Sequence, residues 1–204
     1  MPLKVFYSWQ SDADPKTNHR FLKICLEDAL KIITGDGLLE EVARGDELHL
    51  DHDTKGVFGD VEVLNTILKK IETCDLFVAD ITIVAKTAAA KQCPNPNVLL
   101  ELGYAIQAAG PSRTLKVLNQ HYGSAKDGLP FDMAHKRFPY CYTLAPDASK
   151  EEAEKVQKKV TKDLAEIIGG MLREVGPKEC PQLVFKALQQ NLWVASGSGR
   201  LPSV

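Results

Sequence analysis

The run Asp75 to Ile83, DLFVADITI, is almost unbroken in apolar character and rich in β-branched side chains. A strand wetted on one face alternates apolar and polar residues, whereas a run without that alternation belongs inside a parallel sheet covered by helices on both faces. This requirement governs the rest of the chain. Parallel neighbours cannot be joined by tight turns, so a crossover, usually a helix, must separate successive strands.

The flanking sequence supplies those units. Leu3 to Tyr7 (LKVFY) reads as a strand that ends in the polar loop SWQSD. Pro15 to Thr34 reads as a helix, with Phe21, Ile24, Cys25, Leu26, Ala29 and Ile33 at helical spacing, closed by the GDG turn at Gly35 to Gly37. Glu47 to Leu50 is a second strand running into the loop DHDTKGVFGD, and Val61, Leu64, Leu68 and Ile71 mark a second helix. After the central strand come a helix near Pro96, a strand at Thr114 to Leu118 and a weaker one near Arg137 to Tyr142. The expected fold is α/β, a flavodoxin-like open parallel sheet of order 2-1-3-4-5 wound by right-handed crossovers. Ligands of such sheets gather beyond the carboxyl ends of the strands, where SWQSD, DHDTKGVFGD and the loop before the Pro96 helix all fall.

Beyond Ala145 the pattern changes. Ser149 to Arg173 is a charged amphipathic helix with Ala153, Val156, Val160, Leu164, Ile167 and Met171 on one side, suited to packing on its own domain or on a partner chain. A last helix is expected near Pro181 to Leu192, and GSGRLPSV reads as a flexible tail. The predicted organisation is an α/β domain over 1–145, a helical extension over 146–195 and a tail over 196–204.

At 204 residues the chain suits one compact domain, and a formal charge of -2 gives no electrostatic reason to expect nucleic acid. No apolar stretch approaches the length of a membrane span and the first residues lack a signal-peptide core, so the expected location is cytoplasmic. The five cysteines are widely spaced, with no Cys-x-x-Cys pair and no clustered histidine, which argues against a disulfide framework or a metal site. Cys25, Cys74 and Cys141 read as small buried hydrophobes, and Cys93 as exposed.

The clearest functional signal is PNPNVLLELGYA, Pro94 to Ala105. Asn95 is a good N-cap, Pro96 suits the first helical position, and Val98, Leu102, Ala105 and Ala109 form the buried stripe. At about 100° per residue Glu101 lies beside that stripe, with Asn97 and Tyr104 on the same flank. A carboxylate there can line a cleft, although a lone helical glutamate is more often a solvated surface group.

KVFYSWQSD at Lys4 to Asp12, DTKGVFGD at Asp53 to Asp60, DLFVADIT at Asp75 to Thr82 and PNPNVLLELGYA together resemble, in order, a bacterial Toll/interleukin-1 receptor (TIR) domain over roughly the first 145 residues. LPFDMAHKR at Leu129 to Arg137 resembles a subset of these proteins linked to antiphage defence. The resemblance implies a TIR-like domain in which Glu101, carried over by position, is the NAD-cleaving residue. It implies that Asp53, Lys55, Gly56, Phe58 and Gly59 belong to a BB-like loop that drives self-association with neighbouring helices. It further implies that a separate sensor protein delivers the activating signal, and that NAD+ is a substrate and not a resident cofactor.

The chemistry suits one carboxylate. Nicotinamide leaves NAD+ as a neutral molecule and needs no general acid, so the carboxylate has only to hold the ribose and stabilise oxocarbenium-like charge. Tyr7 and Ser8 are candidates for ribose or phosphate hydrogen bonds, Trp9 for a platform under a nicotinamide or adenine ring, and Asp12, Asn97 and Tyr104 for polar companions. Two other readings stand beside this one. A nucleoside deoxyribosyltransferase also carries an Asn-Val-x-x-Glu helix, and its purine leaving group needs a second carboxyl, for which Asp80 is the candidate. A non-catalytic TIR scaffold would use the BB-like loop and not Glu101.

Overall fold

The computed structural model describes residues 4–35, 49–51, 63–124 and 139–176. The BB-like loop at Asp53 to Asp60, the LPFDMAHKR segment, the helix expected near Pro181 to Leu192 and the tail lie outside the described residues.

Five strands make one parallel sheet: β1 (Lys4–Ser8), β2 (His49–Asp51), β3 (Leu76–Asp80), β6 (Thr114–Asn119) and β7 (Tyr140–Tyr142). Their order is β2-β1-β3-β6-β7. Counted as members of this sheet alone, that is the expected 2-1-3-4-5. All five residues of β3 are buried, as its unbroken apolar run requires. Register places Tyr7 beside Val78 and Ser8 beside Ala79, so β1 and β3 end side by side at the switch in strand order.

Helices cover both faces. On one, Val5, Tyr7, Leu76, Val78 and Val117 meet α1 (His19–Gly35) and α4 (Lys150–Val175). On the other, Phe6, Phe77, Ala79 and Leu118 meet Ile71 of α2 (Val63–Thr73) and Val98, Leu102 and Ala105 of α3 (Pro96–Ala108). Phe6 and Phe77 stack across adjacent strands, with ring centroids 5.7 Å apart.

The helix beyond Ala145 belongs to this core. Ser149 caps α4 in a capping box, its hydroxyl accepting from Glu152 N at 3.2 Å while the Glu152 carboxylate accepts from Ser149 N at 2.9 Å. Val160, Leu164 and Met171 are buried in the α1 cluster, and Ala153, Val156 and Ile167 pack at its margin.

Local differences from the sequence reading have local causes. The central strand ends at Asp80, not Ile83, because the Asp80 carboxylate turns back to accept from Thr82 N at 3.0 Å. Ile83 instead opens an antiparallel hairpin, β4 (Ile83–Lys86) with β5 (Gln92–Pro94), in what the sequence presents as loop. The hairpin packs on the segment after β6 so closely that a Cβ at Gly123 would stand 2.3 Å from Gln92 Oε1 and 2.7 Å from Ile83 Cγ1. α1 starts at His19 and not Pro15, since Thr17 N and Asn18 N bond Asp14 O in a preceding turn. Ile24 and Leu64, expected on buried stripes, are 45% and 51% exposed. Cys25 and Cys74 are buried, whereas Cys93 and Cys141 are half-buried.

Candidate active site at the strand tips

α3 begins as its sequence dictates. Asn95 Oδ1 accepts from Asn97 N at 2.8 Å and from Val98 N at 3.3 Å, and Pro96 occupies the first helical position. Val98, Leu102 and Ala105 are buried, while Ala109 is the half-buried C-cap residue. Glu101, beside the stripe, is half-buried. Its Oε2 accepts from Ser8 Oγ at 2.5 Å, joining the end of β1 to α3 across 93 residues of sequence. Burial raises the Glu101 pKa above the usual carboxylate range, and the Ser8 hydrogen bond pulls it back by favouring the charged form.

Strand alternation explains which neighbours reach this carboxylate. Phe6 and Ser8 project toward α2 and α3, Val5 and Tyr7 toward α1 and α4. The expectation that Tyr7 supplies a ribose or phosphate hydrogen bond is therefore corrected. Tyr7 is 1% exposed in the core beneath α1, and burial, with lesser contributions from Asp80 and Tyr142, holds its phenol far above its ordinary pKa.

Trp9, the residue after β1, lies on the α1 side. Its ring stacks on His19, the first residue of α1, at 4.7 Å and 29°, and remains 37% exposed. It is thus both an aromatic packed at the sheet edge and an accessible surface. Burial lowers the His19 pKa, with the positive charges of Arg20 and Lys23 acting in the same direction.

Asp12 is exposed, and its Oδ2 accepts from Asn95 Nδ2 at 2.6 Å. Asn97 is exposed on the first turn of α3. Tyr104 is directed to α2, where its hydroxyl donates to Glu72. Ser8, Trp9, Asp12 and Glu101 are thereby grouped at the β1 and α3 tips, while Tyr104 faces another helix.

Asp80 is fully buried on the α1 side. Its carboxylate accepts from Asn18 Nδ2 at 3.2 Å and from Thr82 N at 3.0 Å. Burial raises its pKa, and the bonds from Thr82 and Asn18, with nearby Gln10, oppose that rise. A group sealed in this way is no accessible proton donor, which corrects its assignment as the acid of a transferase. It belongs to a buried polar cluster the sequence reading missed. Asn18 Nδ2 donates to Thr82 Oγ1 at 2.9 Å, Thr82 Oγ1 accepts from Asn119 N at 3.0 Å, and Asn119 Nδ2 donates to Leu144 O at 2.9 Å. The position of Asn119, at the end of an apolar strand, is the one sequence signal that could have exposed the cluster.

Among the described residues no group of three or more His, Cys, Asp or Glu side chains could hold a metal ion, and no helix is long and apolar enough to cross a membrane. No family model matches the chain. No curated protein matches it either. Among solved structures, a 2-desoxiribosyltransferase from Leishmania mexicana is similar at 17% identity and a TM-score of 0.39, covering 76% of this chain and 95% of that one. Likeness of that size leaves activity to be argued from the side chains.

Proposed function

We propose that this chain cleaves the N-glycosidic bond of NAD+, with Glu101 as the charge-stabilising carboxylate. In this reaction the bond from ribose C1′ to the pyridine nitrogen breaks, its electron pair neutralises the ring, and nicotinamide departs. Water then adds to C1′ and releases a proton, giving ADP-ribose; attack by an adenine nitrogen of the same molecule gives a cyclic product instead. The observation that carries the reading is a half-buried carboxylate at the switch in strand order, with Oε2 held by Ser8 and Oε1 without a hydrogen-bond partner among the described residues. A fixed, partly desolvated anion interacts with developing positive charge more strongly than it would in water.

A leaving group that needs no proton fits this site better than a purine. The carboxyl offered as proton donor for a purine, Asp80, is buried and bonded on the far face of the sheet. Trp9, stacked on His19, supplies a partly exposed ring on which a base could stack. Resemblance to TIR domains adds self-association through the BB-like loop and a role in antiphage defence to this proposal.

The test is to incubate concentrated protein separately with NAD+ and with a deoxynucleoside. Nicotinamide release that falls faster than linearly on dilution and vanishes in Glu101→Ala is the expected result. Transfer or hydrolysis of the deoxynucleoside alone would favour the transferase reading, and inertness toward both, with assembly intact in Glu101→Ala, would favour a scaffold.

A further inference from the structure

The end of β1 and the loop that follows it are both joined to α3 and its cap: Ser8 to Glu101 at 2.5 Å, and Asn95 Nδ2 to Asp12 Oδ2 at 2.6 Å. The first junction holds the carboxylate itself. The second lies at the surface, where a single hydrogen bond adds little to folding. Its significance lies at the other end of the Asn95 side chain, where Oδ1 closes the α3 N-terminus on Asn97 N and Val98 N.

A carboxamide is nearly symmetric in shape, and turned about its last torsion it would present an NH2 to those same two N–H donors. Donation from Nδ2 to a carboxylate selects the orientation in which the oxygen faces the helix. Asp12 is itself held for that task. Gln10 Oε1 accepts from Asp12 N at 2.5 Å and from Ala13 N at 2.9 Å, and Gln10 is only 3% exposed. A hydrogen-bonded path therefore runs from Gln10, through Asp12 in the loop after β1, to the cap of the helix that carries Glu101. Six residues, about 9 Å of helix, separate that cap from Glu101, so a change in the first turn displaces the carboxylate relative to Ser8.

We propose that Asp12 is a positioning residue for Glu101, acting through the Asn95 cap of α3 and not by contact with substrate. This rests on Glu101 being the working carboxylate. Displacements of about 1 Å at reacting groups cost on the order of 100-fold in rate.

Two substitutions separate the roles. Asp12→Ala removes the acceptor, whereas Asp12→Asn keeps one carbonyl oxygen that can accept from Asn95 while replacing the other carboxylate oxygen with a neutral NH2. In the full chain, Asp12→Ala is expected to lower kcat for nicotinamide release at least about 10-fold with KM within about twofold of wild type, and to speed amide exchange at Asn97 and Val98. Asp12→Asn is expected to restore both. Wild-type exchange at those two amides in Asp12→Ala would overturn the proposal, as would an equal rise in KM in both variants with kcat retained, which would make Asp12 a substrate contact. If the wild-type protein releases no nicotinamide, the proposed reaction fails, while the exchange measurement still decides whether Asp12 governs the cap.

Discussion

Ser8 and Glu101 show how one contact biases an ionisation against burial. Ser8 donates to the carboxylate, so it favours the charged form and opposes the effect of burial on the Glu101 pKa. Activity that requires ionised Glu101 rises as pH climbs through that elevated pKa. Ser8→Ala is expected to move the acidic midpoint of the rate profile to higher pH and to lower the rate most at the acid end. An unchanged midpoint would show that the Ser8 bond does not act on the ionisation of Glu101. Glu101 was legible in sequence because cap, proline and apolar stripe fix the rotation of α3 about its axis. Tyr7 cannot share the substrate-binding place of Ser8, because a period of two sends neighbouring residues of a strand tip to opposite faces. Asp80 looked like a reagent because its burial depends on Asn18 and Thr82, contacts that cross from one element to another and leave no periodic trace.

At the scale of elements, periodicity served well where an element is long or buried on both faces. The parallel sheet and α4 follow from that. The β4–β5 hairpin did not, because its strands are short and its turn, Thr87 to Ala90, carries no Gly or Asn to announce it. Ala90 has φ +60°, in the left-handed region where a Cβ is strained. Ala90→Gly is expected to stabilise the protein by about 1 kcal/mol in chemical denaturation, relief of strain outweighing the added freedom of the unfolded chain. A loss of stability would show that the turn tolerates alanine without strain. The exposed Ile24 and Leu64 mark the limit of helical spacing as a guide, because a stripe names the side facing the sheet and not its width.

At the scale of the whole molecule, α4 decides where the domain ends. Leu164 is fully buried, in one cluster with Leu22, Leu26 and Val78 from α1 and the sheet. Leu164→Ala is expected to cost about 2 to 5 kcal/mol in a single cooperative unfolding transition, the range for a leucine cavity in a packed core. A separate early transition, with the sheet unaffected, would make α4 an independent appendage. The convergence of Ser8, Trp9, Asp12 and Glu101 at the sheet's carboxyl edge is also a property of the whole fold, since the residues come from segments distant in sequence. Whether that convergence is an active site is tested most directly by nicotinamide release from NAD+ at high protein concentration, comparing wild type with Glu101→Gln while following circular dichroism of both. The expected result is turnover by wild type and loss of at least about 100-fold in the variant with its fold intact. Equal release by both proteins would contradict the assignment of Glu101.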